Sequence, residues 1–419
     1  MTGVPTRDAI ANELQKMLAP VNQFGGFKKW RTTRPPGGPP YNSLARETRL
    51  AVVVHKYGGS SVGDLSRIGR VADRIASAVA AGDRPVVVVS AMGNTTNELL
   101  ALAKAMSPVP DRRELDMLVS VGERVTMALL AMGLRDRGVP ARSLTGSQSG
   151  ILTDGTHAGA RVVAVRPDRV RDALAAGETP IVAGFQGVSV DKEITTLGRG
   201  GSDTTAVVLA AALGAERCEI CSDVDGVWSA DPRRVPDAVR LDAIGLDAMA
   251  SLARAGATVL FEDAVRYARD HGVTLHAART FGGGRGTTIG PEPQPGVWAV
   301  ASDRLLRSTK GAPRGARLRR RWGEHRHWDV RNLHGAPLDG VEVAVVSAVA
   351  SGLGEWNDGF DLASEALAGA GLQLRHCGAD GDSWWFEVDP SAEDAAVRAL
   401  HAHLADHDPN GSAVGGRTG

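Results

Sequence analysis

Thr195-Thr-Leu-Gly-Arg199-Gly-Gly-Ser202-Asp203-Thr-Thr205 gathers a guanidinium, a carboxylate and three glycines at the start of an Ala-rich helix. Arg199 is of the type that holds a carboxylate bidentately. Gly200 and Gly201 let a backbone or ligand approach closely, and Ser202 and Asp203 are helix-capping residues. Taken alone, Asp203 reads equally as a cap or as a working carboxylate. Just upstream lies Gly184-Phe185-Gln-Gly187. Downstream, Ser222-Asp223-Val-Asp-Gly-Val-Trp228-Ser-Ala-Asp231-Pro-Arg233 leaves a strand and offers polar groups for a ribose and phosphates. Further upstream, His55-Lys56-Tyr-Gly58-Gly59-Ser60-Ser-Val62 sits between a strand and a helix. Its backbone N–H groups and the helix N-terminus suit a phosphate, and Lys56 adds a mobile charge. It lacks the G-x-x-x-x-G-K-[ST] pattern of a P-loop, so by itself it is compatible with a plain strand–helix turn.

Around these motifs apolar runs and amphipathic stretches alternate. Strands are read at 50–55, 85–90, 179–184, 217–222 and 273–278, and helices at 67–81, 111–137, 203–213, 251–257 and 262–271. Such alternation builds parallel β-α-β units with helices on both sheet faces. Residues 1–48 form an extension in which 8–19 is one helix, while Arg34-Pro-Pro-Gly-Gly-Pro-Pro40 fits neither helix nor central strand. A catalytic domain spans 49–290, a Pro-rich linker 291–296 and a second domain 297–408. The tail at 409–419 is Gly-rich and expected to be disordered. The second domain reads strand 341–346, helix 360–368, strands 372–375 and 384–388, then helix 393–404, the βαββα half of a ferredoxin-like sandwich.

Bulk composition narrows the function classes. With 48 basic and 48 acidic residues there is no global pull toward nucleic acid or anionic lipid. Three cysteines cannot form a disulfide framework, which points to the reducing cytoplasm. Cys218 and Cys221, three apart on a strand, point to opposite faces and read as buried thiols rather than metal ligands. No signal peptide or membrane span is read in the sequence.

The Lys56-Tyr-Gly-Gly-Ser-Ser-Val62, Thr195–Ala206 and Asp223-Val-Asp-Gly-Val…Ala230-Asp-Pro-Arg233 segments together resemble the aspartate kinase branch of the amino acid kinase family. The resemblance implies an α/β fold, a three-layer αβα sandwich on a mainly parallel sheet, followed by a small α+β ACT-like domain. It implies a cytoplasmic, homodimeric enzyme that uses ATP and Mg²⁺ to phosphorylate the side-chain carboxylate of L-aspartate, or a close analogue, to 4-phospho-L-aspartate. Lys56 and Asp203 would be catalytic, the lysine neutralising the moving phosphoryl and the aspartate orienting it. Ser90, Thr96, Glu123, Phe185, Arg199 and Ser202 would bind the acceptor, with Arg199 on its α-carboxylate and Glu123 on its α-ammonium. Lys56, Gly58, Gly59, Ser60, Ser222, Asp223, Trp228, Asp231 and Arg233 would surround the nucleotide. No residue is assigned as a protein ligand to metal, and neither nucleic acid nor membrane is expected as a partner.

Two departures qualify the resemblance. Where the family reads Gly-Ala-Lys-Val-Leu-His-Pro, this chain has Gly256-Ala-Thr258-Val-Leu-Phe261-Glu262, so a phosphate-contacting lysine is replaced by Thr258. A catalytically weak paralogue, or a kinase for another carboxylate, is the alternative this raises. Residues 297–340 look like an eroded first ACT module, and 347–358 lacks the usual Pro-Gly turn, so feedback by lysine or threonine is expected to be lost or changed, with loss preferred. The basic stretch 314–322 reads as a solvated loop, His325 and His327 as no metal site, 282–286 as a turn, and Trp384-Trp385 as one core and one interface residue.

Overall fold

The computed structural model describes residues 52–291, 297–308, 317–322, 325–329, 340–350, 359–380 and 383–406. The expected extension at 1–48, most of the linker and the tail at 409–419 lie outside the described residues. An eight-stranded sheet is built from β1 (Val52–Tyr57), β2 (Arg84–Val89), β3 (Ala141–Leu144), β6 (Thr179–Ala183), β9 (Arg217–Ser222), β10 (Ala243–Gly245), β11 (Leu275–Arg279) and β12 (Thr287–Gly290). Its order is β10-β12-β11-β9-β1-β2-β6-β3. Every pairing is parallel except β11 with β12. β1 is the inner strand, bonded to both β2 and β9, and Val53, Val54 and Tyr57 have no exposure. A run buried on both faces is what a central parallel strand requires.

Strand alternation distributes β1 between two cores. Val54 packs with α6 (Gly201–Leu213), α7 (Leu246–Arg254) and α8 (Glu262–His271). Tyr57 packs on the other face with α1 (Leu65–Ala80) and α4 (Val121–Arg135). The result is the expected three-layer αβα sandwich. Cys218 and Cys221 fall in these two different cores as free buried thiols, as strand geometry predicts. A smaller sheet, ordered β5-β4-β7-β8, joins β4 (Ile151–Thr153), β5 (Val162–Val165), β7 (Gln186–Ser189) and β8 (Ile194–Thr196). The run from α3 (Arg112–Val119) through α4 is long and apolar enough to cross a membrane, but half of it is buried within this fold and it carries buried Asp116 and Glu123.

The remaining described elements form a six-stranded antiparallel sheet, β14-β15-β13-β16-β18-β17. Its members are β13 (Trp298–Ser308), β14 (Arg317–Trp322), β15 (His325–Asp329), β16 (Val341–Ala350), β17 (His376–Asp380) and β18 (Ser383–Val388). Helices α9 (Gly359–Gly369) and α10 (Glu393–Asp406) cover one face through Ala363, Leu367, Ala396, Val397 and Leu400. This matches the expected α+β module, with local shifts. The strand placed at 372–375 lies at β17, because Ala370 to Leu372 close off the end of α9 by backbone hydrogen bonds. The basic stretch read as a loop contains β14, at the sheet edge. Trp385 is buried like Trp384, covered by Leu305, Val343 and Val345 on the opposite face. His327 is 2.7 Å from Glu387.

The helix read at 251–257 is α7, which ends at Arg254. Gly256 has φ +115°, outside helical space for a side chain, and a Cβ there would collide with the Ser302 carbonyl of β13. This glycine therefore lets the second sheet dock backbone against the first unit. Gly256→Ala is expected to destabilise the chain by roughly 2 kcal/mol or more, measurable as a lower midpoint in urea unfolding.

Candidate functional site

The C-terminal ends of β1 and β9 open onto the start of α6, the place where parallel α/β sheets bind ligands. Lys56 is the last but one residue of β1, and alternation turns it toward α6. Its Nζ lies 2.7 Å from Asp203 Oδ1, with both side chains largely buried. Asp203 stands in the first turn of α6, whose N-cap is Gly200 at φ +71°. Beyond Lys56 the chain turns sharply. The Gly58 N–H donates to the Cys221 carbonyl (3.2 Å), and the Gly93 N–H donates to the Gly59 carbonyl (3.1 Å). A Cβ on Gly59 would press on the Ala91 and Gly93 carbonyls at 3.1 and 3.3 Å, so a side chain there would require the loop after β2 to give by a few tenths of an ångström. Ser60 is exposed at the rim, its carbonyl bonded by Arg67.

Two of the predicted acceptor residues lie close to this turn, Ser90 bonded to Tyr57 and Glu123 to Ala91. Ser90 follows β2, Thr96 lies in the first turn of α2 (Thr95–Met106), and Glu123 is in the first turn of α4. Glu123 is 3% exposed. Its Oε1 accepts from the Ala91 N–H at 3.1 Å, while buried Oε2 accepts no hydrogen bond among the described residues. Burial pushes its carboxyl up to about 7, partly offset by backbone hydrogen bonds. Phe185 holds φ +68° and donates its N–H to Thr205 Oγ1 at 3.2 Å. Its ring packs where a side chain on Gly201 would stand, and Ser202 packs likewise against Gly184. Arg199 is exposed between Gly198 and Gly200, both at positive φ.

One contributor escaped the sequence. Asp116 in α3 has no exposure. It accepts from His157 Nδ1 at 2.8 Å, from the Ala158 N–H at 3.1 and 3.2 Å, and from Thr196 Oγ1. It thus ties the helix leading into Glu123 to the strand leading into Arg199. Its partners lie 41 to 80 residues away, so no local pattern marks it.

The predicted nucleotide residues Ser222, Asp223, Trp228, Asp231 and Arg233 line one cavity of about 960 Å³ together with Thr258. Arg233 is exposed and bonds Asp231 through two contacts, 2.7 and 3.0 Å. The far wall consists of β13 and α10 residues, including Ser302 and Glu393. Two substitutions around Thr258 have structural counterparts. Glu262 pairs with Arg254 at 3.3 Å, so Arg254 is already engaged. Phe261 occupies the space a side chain on Gly200 would need. On the opposite sheet face His55, Glu219 and Cys221 cluster closely. There Arg217 and Arg74 already contact Glu219, at 3.0 and 3.5 Å, and the Cys221 thiol is pushed up to about 12 by burial. That cluster is an internal ion network.

Residues 51–278 match the profile of the amino acid kinase family. The chain belongs to that family. An aspartokinase of Mycolicibacterium smegmatis is 54% identical over 241 residues, 57% of this chain and 57% of that relative. The chain thus spans a little over half the length of that curated relative. The aspartate kinase structure from Synechocystis is 31% identical with a TM-score of 0.54, covering 84% of this chain and 69% of that one. The structure of E. coli aspartokinase III with aspartate and ADP has a TM-score of 0.71 at 23% identity, covering 84% of this chain and 99% of that one, a likeness of fold. Asp116→Asn, which removes the charge from a fully buried hub, should cost roughly 3 kcal/mol of stability, read from denaturant unfolding with and without the change.

Proposed function

We propose that this chain is an ATP-dependent aspartate kinase, transferring the terminal phosphoryl of ATP to the side-chain carboxylate of L-aspartate. The observation that carries this is the buried Lys56–Asp203 pair at the C-terminal end of β1, and Glu123, a carboxylate with one unsatisfied buried oxygen, supports it. The acceptor carboxylate is ionised at neutral pH, so no base is required. Its oxygen attacks the terminal phosphorus as the bond to the ADP oxygen breaks. Lys56, fixed by Asp203, neutralises charge on the moving group, and the Gly58–Gly59 turn lets it approach the backbone. Arg199 takes the α-carboxylate and Glu123 the α-ammonium. Ser90, Thr96, Phe185 and Ser202 shape the remaining wall. The nucleotide lies toward Ser222, Asp223, Trp228, Asp231 and Arg233, with Ser60 at the rim.

The protein residues fit Mg²⁺ as an ion carried by the triphosphate. Asp203 is committed to Lys56, and the one described cluster of metal-ligand type lies on the other sheet face. Bound that way, Mg²⁺ would supply charge neutralisation at the phosphates. A homodimer and a cytoplasmic site belong to the same reading. The first is supported by Met117, Val121, Val125 and Met132, exposed at helical spacing along α3 and α4, and the second by three free thiols.

Trapping the acyl phosphate with hydroxylamine should give ATP- and aspartate-dependent hydroxamate, cut roughly 10²- to 10³-fold by Lys56→Ala. No product above that control would overturn the proposal. Below about 7 the Glu123 carboxyl is protonated and offers an ammonium no charge; above it the group is ionised. Apparent aspartate affinity should therefore rise with pH through that value, and Glu123→Gln should flatten the profile while weakening binding. Thr258 leaves the nucleotide wall without a cation at that position. Restoring one by Thr258→Lys should raise kcat/KM for ATP by about tenfold or more, against unchanged KM for aspartate.

A further inference from the structure

The cavity that carries the nucleotide residues has two walls from the kinase unit, 222–234 and 256–259, and both are fastened to the C-terminal sheet. On the first, Ser229 has no exposure, its carbonyl accepts from the Val300 N–H at 2.7 Å, and its Oγ lies 3.0 Å from His401 Nε2 in α10. His401 in turn meets the edge of Trp298. Ala230, Val235 and Ala238 from the same loop share one apolar core with Trp298, Val300, Val397 and Leu400. The loop thus has no separate core of its own. The second wall meets β13 at Gly256, where only a glycine lets the Ser302 carbonyl approach.

Glu393 sits where these attachments cross. Its side chain is 5% exposed at the start of α10. Oε1 accepts from Arg234 Nη1 at 2.8 Å and from Ser302 Oγ at 2.7 Å, and Oε2 accepts from Arg304 Nε at 2.8 Å. Arg234 Nη1 also donates to Ser302 Oγ at 2.7 Å. Burial pushes this carboxyl up, but the Ser302, Arg304 and Arg234 hydrogen bonds outweigh it and hold the group below its ordinary value. Arg234 is the neighbour of Arg233 in the cavity wall, so the network ends at the predicted nucleotide residues.

We propose that Glu393 is a positioning residue for the nucleotide cavity, and that the C-terminal module serves this enzyme as the fixed back wall on which the loop 228–238 is held. This rests on the reading of that cavity as the nucleotide site. The loop 228–238, Arg234 included, contacts the module, while Glu123 is anchored at the Ala91 N–H and Asp116 ties α3 to the strand before Arg199 within the kinase unit. Disturbing Glu393 should therefore act on one substrate and spare the other.

The test is calorimetric titration of the full chain with Mg²⁺–ADP and, separately, with aspartate. Glu393→Gln keeps the shape and removes the charge that two guanidinium groups share. It should weaken ADP by about tenfold, the worth of a lost charged hydrogen bond, and leave aspartate within about twofold. Glu393→Asp should recover much of the loss. Unchanged ADP affinity in a folded Glu393→Gln chain overturns the inference. Equal losses for both ligands with a lower unfolding midpoint overturn it too, since that is what a purely structural role produces. Should Glu393→Gln not fold, Ser302→Ala removes the two hydroxyl bonds of the network and should weaken ADP about threefold; no change there has the same negative meaning. A wild-type chain that binds no ADP would instead remove the nucleotide reading itself, and this inference with it.

Discussion

The Lys56–Asp203 ion pair joins two strand–helix turns that are distant in sequence, and much of the surrounding architecture exists to hold it. A buried ion pair gives up hydration that its mutual attraction does not always recover. It persists where the backbone on both sides is fixed beforehand. Here Lys56 is fixed by β1, which is bonded on both edges. Asp203 is fixed by a helix whose first turn packs on Phe185 and Gly184. The glycines at 58, 59, 184, 200 and 201 allow these segments to approach one another, so the charge sits at the mouth of the sheet and not within it.

Beside that pair the two substrate sides are built differently. The acceptor side is compact and local to the first unit: Glu123 is anchored through Ala91, and Asp116 links its helix to the strand before Arg199. The proposed nucleotide side is a cavity backed by the second sheet. Thr258 and Val259 of the altered segment line this cavity. The segment's changes form a consistent set, since Glu262 pairs with Arg254 and Phe261 packs over Gly200. The segment is thus packed consistently around Thr258.

What the sequence made legible follows from the range of the interactions. β1, α6 and the turn after Lys56 are encoded by consecutive residues: apolar runs ended by glycine, and a capping pattern before an Ala-rich helix. The core strands flanking β1 and the opposite faces of Cys218 and Cys221 follow from the same short-range rules. Asp116 was invisible because its meaning lies in His157, Ala158 and Thr196. The end of α7 was misplaced because Gly256 acts through Ser302, 46 residues later in the sequence by its numbering. One of Trp384 and Trp385 was read as an interface residue, and both are buried, because alternation fixes the faces but not what covers them.

The same reasoning bears on why a C-terminal module would be kept when its effector loop has departed from the family pattern. A loop such as 228–238, with Pro232 and Pro236 and without regular ladder bonds of its own, cannot bury enough apolar surface to hold one conformation. Ala230, Val235 and Ala238 are small, and they become core residues only against Trp298, Val300 and the inner face of α10. Without that partner the loop would have to be ordered by the nucleotide itself, at the expense of affinity. A rigid sheet behind it moves that ordering into the folding of the chain. On the proposed reading such a module can lose its response to a small effector and still be required, because what the loop takes from it is a surface, not a signal.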